Sequence, residues 1–119
     1  MINAKNITRG SVWLVNLSPI MGHEQAKRHP CLVISADMYH QGCAGLVAII
    51  PITSSFRELY WHVPINPPEG GLSKLSYILC DQMRCVSLER FSSQCLGFVS
   101  DYTLSLVEER VRVLLGLVE

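Results

Sequence analysis

The side chains best suited to proton transfer and phosphate chemistry gather in one short stretch, Gly22-His23-Glu24-Gln25-Ala26-Lys27-Arg28-His29-Pro30. It holds two imidazoles, a carboxylate, an amide and two fixed cations, groups that move protons and neutralise anionic oxygens. Three smaller polar clusters follow: Thr53-Ser54 with Arg57 and Glu58, His62 beside Trp61, and Asp81-Gln82-Met83-Arg84. None is a glycine-rich phosphate loop, a nucleophile elbow or a metal-ligand pattern, so the residues by themselves call for no metal or cofactor. Each also has an ordinary structural reading. Thr53 is the kind of strand-end hydroxyl that ties off a turn. Glu24 suits a loop carboxylate that accepts from nearby backbone N–H groups. Asp81 suits a carboxylate that holds Arg84 or a loop, and Arg84 a surface ion pair.

The clusters are separated by apolar runs that must position them. Ser11 to Leu17 and Cys31 to Ile34 are rich in β-branched residues and read as strands, the second opened by Pro30, which has no N–H to donate to a ladder. Asp37 to Tyr39 reads as a helical turn. Gly45 to Ile52 is short and apolar throughout, the pattern of a strand buried on both faces, with Pro51 arguing for a bulge or an exposed end. Trp61 to Ile65, Tyr77 to Asp81 and Cys95 to Val99 read as further strands, Asn66 to Gly71 as a turn, and Ser87 to Phe91 as a short helix. At the C-terminus Leu104, Val107, Val111, Leu114, Leu115 and Val118 recur at helical spacing, with Ser100 or Asp101 as N-cap. Leu106, Val113 and Leu117 add a second apolar stripe. It fits either a helix wedged deep against a sheet or one that meets a partner subunit.

The fold class that follows is mainly β with α (α+β): a small, strongly bent antiparallel sheet or barrel with a C-terminal amphipathic helix. The 119 residues suffice for one domain, 1–119, with a core of its own. Ten Lys and Arg balance ten Asp and Glu, which argues against general nucleic-acid affinity. The balance is uneven along the chain, however: residues 1–62 carry five cations, three anions and all four histidines, and residues 63–119 carry five cations and seven anions. A local basic groove is compatible with that distribution, and near-zero charge favours self-association. The five cysteines form no C-x-x-C pair and mostly sit in apolar runs, so they read as reduced, buried thiols of a cytosolic protein. Residues 1–10 lack the apolar core of a signal peptide, and the longest apolar run, Leu46 to Ile52, is far short of the roughly 18 residues of a membrane span. The expectation is a soluble, cytoplasmic protein with no membrane partner.

Five stretches, taken in order, resemble one family. Arg9-Gly10-Ser11-Val12-Trp13-Leu14-Val15, Gly22-His23-Glu24-Gln25, Pro30-Cys31-Leu32-Val33-Ile34-Ser35, Pro51-Ile52-Thr53-Ser54 and Cys80-Asp81-Gln82-Met83-Arg84 are similar to motifs of the MazF/PemK/Kid toxins. Val113-Leu114-Leu115-Gly116-Leu117 resembles the closing helix of that family. The resemblance implies an SH3-like barrel assembled as a homodimer, the toxin half of a type II toxin–antitoxin pair. It implies a metal-independent, sequence-specific endoribonuclease (an mRNA interferase) that cuts single-stranded RNA. In that chemistry the 2′-hydroxyl attacks the neighbouring phosphate, leaving a 2′,3′-cyclic phosphate and a 5′-hydroxyl. It needs a base, an acid and donors for the charge on the phosphorane. The implied antitoxin presents an acidic, initially disordered tail that competes with RNA for the groove.

Carried over residue by residue, the resemblance makes His29, Arg28, Thr53 and Glu24 the catalytic candidates. His23, Gln25, Lys27, Ser54, Arg57, Asp81, Gln82 and Arg84 are the RNA-binding candidates. Lys74 is a further groove cation, and Phe56 or Trp61 a surface for a base to stack on, whereas Trp13 is assigned to the core. The chain departs from the family at one central place: the family's arginine before the loop proline is replaced by His29, with Arg28 one position earlier. Neighbours in an extended chain point to opposite faces, so the two side chains compete for the groove. An imidazole there can act as base when neutral and as acid or charge stabiliser when protonated, which an always-charged guanidinium cannot. The family's Kid branch also has an arginine two residues before its aspartate, where this chain has Leu79. Two other readings remain open at this level: a gyrase-inhibiting toxin of the Ccd type with the same fold, and a catalytically weak SH3-like binding module.

Overall fold

The computed structural model describes residues 3–17, 28–42, 45–56 and 59–117. The strands are β1 (Ser11–Asn16), β2 (Arg28–Val33), β3 (Leu46–Thr53), β4 (His62–Ile65), β5 (Ser76–Leu79), β6 (Arg84–Ser87) and β7 (Phe91–Phe98). Helix α1 (Asp37–His40) is a single turn, and α2 (Asp101–Leu114) follows β7. The strands form one seven-stranded antiparallel sheet in the order β4-β5-β3-β2-β1-β7, with β6 also paired to β3. The sheet is bent but open, since its path runs from β4 to β7 without joining them. Register slips on either side of Trp13, where β1 meets β7, supply local irregularities of the kind that sharpen twist.

Strand β3 is the spine. One edge pairs with β2 through Cys31↔Pro51 to Val33↔Ile49, while the other pairs first with β6 (Leu46–Ile49) and then with β5 (Ile52 and Thr53). Pro51 is buried at the point where that second edge passes from β6 to β5, so its missing N–H falls at a break in the ladder. The apolar run of β3 is buried on both faces, as its composition predicts. Val47 and Ile49 pack with Trp13, Val15 and Cys31 in one cluster, and Ile50 and Ile52 pack with Val12, Leu32 and Val107 in the other.

Helix α2 begins at Ser100, whose hydroxyl accepts from the Thr103 N–H at 3.1 Å. The Glu69 carboxylate accepts from the Ser100 N–H at 2.8 Å. Burial pushes that carboxyl up, but hydrogen bonds with Thr103 and Ser100 outweigh it and hold it below the ordinary range. The helix ends in a Schellman turn: Gly116, at φ 72°, donates to Val113 O, and Leu117 donates to Arg112 O. Only Val107 and Thr103 are fully buried, so the helix lies on the sheet rather than deep within it. Leu114, Leu115 and Leu117 are exposed at its end. Arg9 ties the helix to the sheet through three groups: its N–H donates to Asp37 Oδ1, its Nε donates to Ile34 O, and its guanidinium pairs with Glu108.

The extended turn before β5 depends on one glycine. Gly71 has φ 72°, and a Cβ there would stand 1.9 Å from Leu96 O of β7, so no other residue fits that crossing. Several elements differ from the sequence expectation. The segment Ser87 to Phe91 holds only a 3₁₀ turn, Leu88–Arg90, and Tyr77 to Asp81 splits into β5 and a 3₁₀ turn at Cys80–Gln82. Strand β6 has no counterpart in the sequence reading. Of the cysteines, Cys31 and Cys80 are buried, Cys95 is half-buried and Cys85 is exposed, while Cys43 lies outside the described residues. Val118 lies outside them too.

Candidate active site

A groove lies where the ends of β2 and β3 meet the segments before and after β5. It consists of two adjoining hollows of about 350 and 370 Å³ that share His29, Ile52 and Thr53 as their common wall. The first is completed by Ser54, Ser73, Lys74 and Ser76, and the second by Leu17, Leu79, Gln82 and Arg84.

Strand pairing explains the wall. The β2–β3 pairing sets Cys31 opposite Pro51. The pairing ends there, and His29 and Thr53, each two residues beyond it on its own strand, line both hollows together. His29 is exposed and faces the groove. Arg28 pairs with Asn16 on β1 and lines neither hollow. The alternation of an extended chain thus separates the two candidates, and His29 takes the groove side.

Thr53 ends β3 and is bonded as its strand-end position predicts. Its Oγ1 accepts from the Ser55 N–H at 3.1 Å, a turn of the kind short hydroxyl residues make. The bond fixes the oxygen while leaving its own O–H to donate. Ser54 beside it is exposed, and Phe56 follows, exposed and edge-on to Tyr77 at 5.6 Å. Trp61 lies elsewhere, half-buried and edge-on to Tyr60 at 5.1 Å. Tyr60 in turn lies under the Arg110 guanidinium, 4.1 Å from its ring centre.

The cations are well placed. Arg84, exposed on β6 opposite Ile49, reaches the second hollow, and Lys74 reaches the first. Burial pushes the Cys31 thiol up to about 12, and the nearby Arg84 charge only partly offsets this. Among the described residues the ion pairs are Arg9–Glu108 and Arg110–Glu109, and Asp37 and Asp81 lie beside His40 and His62, so Arg84 enters none of these contacts.

Asp81 is set apart from the other candidates. It does not line either hollow, and its carboxylate faces His62, with 3.4 Å between Nε2 and Oδ1. Gln82, the next residue, lines the second hollow. His23, Glu24, Gln25, Lys27 and Arg57 lie outside the described residues. The structure also adds Ser73, Ser76, Leu17, Leu72 and Leu79, which sequence reasoning did not single out. Among the described residues no three His, Cys, Asp or Glu side chains come together as metal ligands, and no helix is long and apolar enough to cross a membrane.

The described residues thus form a bent antiparallel sheet with a terminal helix, and its groove is lined by an imidazole, hydroxyls and two cations. The match to the family of PemK-like, MazF-like toxins of type II toxin–antitoxin systems runs over residues 8–115, and the chain belongs to that family. It is 29% identical to endoribonuclease EndoA of Bacillus subtilis over 95% of this chain and 97% of that protein. It is 27% identical to endoribonuclease MazF9 of Mycobacterium tuberculosis over 92% of this chain and 96% of that one. Among solved structures, a MazE–MazF complex of Deinococcus radiodurans superposes with a TM-score of 0.78 at 28% identity, covering 94% of this chain and 97% of that chain.

Proposed function

We propose that this protein is the toxin of a toxin–antitoxin pair and a sequence-specific endoribonuclease that cuts single-stranded messenger RNA in the cytoplasm. The observation that carries the reading is the shared wall of His29 and Thr53 between two hollows, one holding Lys74 and the other Arg84.

The groups present suit transesterification. Neutral His29 accepts the proton of the 2′-hydroxyl as O2′ bonds to phosphorus. The P–O5′ bond then breaks, and the departing 5′-oxygen takes a proton, supplied by the imidazolium so formed or by Glu24, the carboxylate candidate of the sequence. The products are a 2′,3′-cyclic phosphate and a 5′-hydroxyl. Thr53 donates its O–H to a non-bridging oxygen, and Arg84 and Lys74 offset the charge that builds on the phosphorane. Because Thr53 is already bonded to the Ser55 N–H, little reorganisation is needed as that charge develops. Ser54, Gln82 and the exposed Phe56 contact the RNA around the scissile phosphate, and His23, Gln25, Lys27 and Arg57, outside the described residues, are further RNA-binding candidates by their place in the sequence. Arg28, on the other side of β2, strengthens RNA binding as a peripheral cation.

The MazE–MazF complexes solved for relatives support an antitoxin partner. In this reading its acidic tail takes the cationic groove in competition with RNA. The exposed Leu114, Leu115 and Leu117 at the end of α2 provide apolar surface for a second copy of the chain, consistent with a homodimer.

The test uses purified protein, a long single-stranded RNA and excess chelator, with the fragment ends mapped. Discrete fragments bearing 5′-hydroxyl ends are expected. Intact RNA together with a trapped gyrase complex would replace this reading with a gyrase-directed toxin of the same fold.

A further inference from the structure

The buried side of the site holds a histidine with no role in the chemistry above. His62, on β4, has only 1% of its side chain exposed. Its Nε2 stands 3.4 Å from Asp81 Oδ1, and its Nδ1 is the one buried side-chain nitrogen or oxygen without a partner among the described residues. The neighbouring residue Val63 and the strand partner Leu79 are apolar, so a leucine at position 62 would satisfy the packing and leave no polar atom stranded. An imidazole kept there at a desolvation cost serves the group it faces.

That group leads to the groove. Asp81 lies in the 3₁₀ turn Cys80–Gln82, the adjacent Gln82 lines the second hollow, and Arg84 lines it two residues later. The turn is tied to the β4 segment twice: the Cys80 N–H donates to Trp61 O at 3.1 Å, and Asp81 faces His62. We infer that His62 is a positioning residue, a buried imidazole that holds Asp81 and thereby sets Gln82 and Arg84 against the scissile phosphate. Asp81 is then an anchor of the turn, not a group that touches RNA. The 3.4 Å separation brings the imidazole and the carboxylate within ion-pair reach without the alignment of a hydrogen bond.

This inference rests on the ribonuclease reading for its kinetic readout, so the experiment includes one that does not depend on it. His62→Leu, His62→Gln, Asp81→Asn and the His62→Leu/Asp81→Asn double variant are compared with wild type. The readouts are melting temperature, backbone amide resonances of Gln82 and Arg84, and kcat and KM on RNA. His62→Leu is expected to melt at or above wild type, because it removes an unpaired buried nitrogen, and to shift both resonances. Its kcat falls by roughly ten- to a hundredfold with a smaller change in KM, the scale of a displaced electrostatic contact. His62→Gln, whose amide can donate to Asp81, restores both readouts, and the double variant is no worse than His62→Leu alone. Unmoved resonances with wild-type kcat in His62→Leu, no rescue by Gln, or additive losses in the double variant would each overturn the inference. A wild-type protein that leaves RNA intact defeats the ribonuclease reading, while the resonances of Gln82 and Arg84 still decide the link to His62.

Discussion

Two corners of this small fold each bring a histidine close to a short hydroxyl residue, and they do opposite things with it. At the α1 corner His40 is fully buried. Its Nδ1 lies 2.8 Å from Ser35 Oγ, its Nε2 lies 2.8 Å from Ile7 O, and Ser35 Oγ also accepts from the Ala48 N–H. The Ile7 carbonyl can only accept, so the ring carries a proton on Nε2, which leaves Nδ1 of the neutral ring to accept from the Ser35 O–H. Every valence is spent on holding residues 7, 35 and 48 together. In the groove His29 is exposed, and Thr53 has one backbone donor and its own proton still to give. The same residue types are a rivet where their bonds are saturated and chemical equipment where they are left open beside cations. His62 stands between these extremes, buried yet with one ring nitrogen unpartnered, facing the exposed Asp81.

The comparison can be broken from either side. The largest effect is expected in the groove: Thr53→Val keeps the shape, removes the donor, and should lower kcat for RNA cleavage by about 10²–10³-fold with a nearly unchanged melting temperature. A valine variant that cleaves normally would reduce Thr53 to its turn. The α1 corner should behave the other way. His40→Ala removes the acceptor of the Ser35 O–H and one of the two side-chain donors to the Ile7 carbonyl, leaves a cavity, and should cost about 2–4 kcal/mol in denaturant unfolding while leaving kcat/KM of the folded fraction unchanged.

A smaller effect separates core from groove by pH. Burial raises the thiols of Cys31 and Cys80 from 9.0 to about 12. Between those values the unfolded chain has released thiol protons that the folded chain retains, so stability is full below about pH 9 and declines as pH rises toward 12. Cys31→Ala should flatten that alkaline decline in a series of thermal melts. At pH 8 a maleimide should label exposed Cys85 well before Cys31 or Cys80, and equal labelling rates would show that the buried cluster opens freely.

What the sequence revealed follows from what is local. The unbroken apolar run of β3 and the helical spacing of α2 are written in adjacent residues, and the structure places both accordingly. Strand β6 escaped notice because four residues with exposed Arg84 and Cys85 look like loop, and only pairing with β3 makes them a strand. Strand β7 is longer than its apolar part, since Ser93 and Gln94 face solvent. The site divides in the same way. His29 and Thr53 stood out by residue type, but their meeting at one wall is a product of the β2–β3 pairing. Ser73 and Ser76 reach the groove only because β5 pairs with the end of β3, and no local signal marks them. The apposition of His62 and Asp81, nineteen residues apart (81 − 62), likewise exists only once β4 and the turn after β5 are packed together.

The central claim is that His29, and not Arg28, occupies the place before the loop proline from which the phosphate is attacked. The direct measurement is single-turnover cleavage of one RNA by wild type, His29→Ala and Arg28→Ala, with RNA affinity determined for each in parallel. The account predicts that His29→Ala binds RNA but loses cleavage by about 10²–10⁴-fold, the range for loss of a general acid–base group. It predicts that Arg28→Ala binds more weakly and, at saturating RNA, cleaves at nearly the wild-type rate. Wild-type cleavage by His29→Ala, or its loss in Arg28→Ala alone, would contradict it.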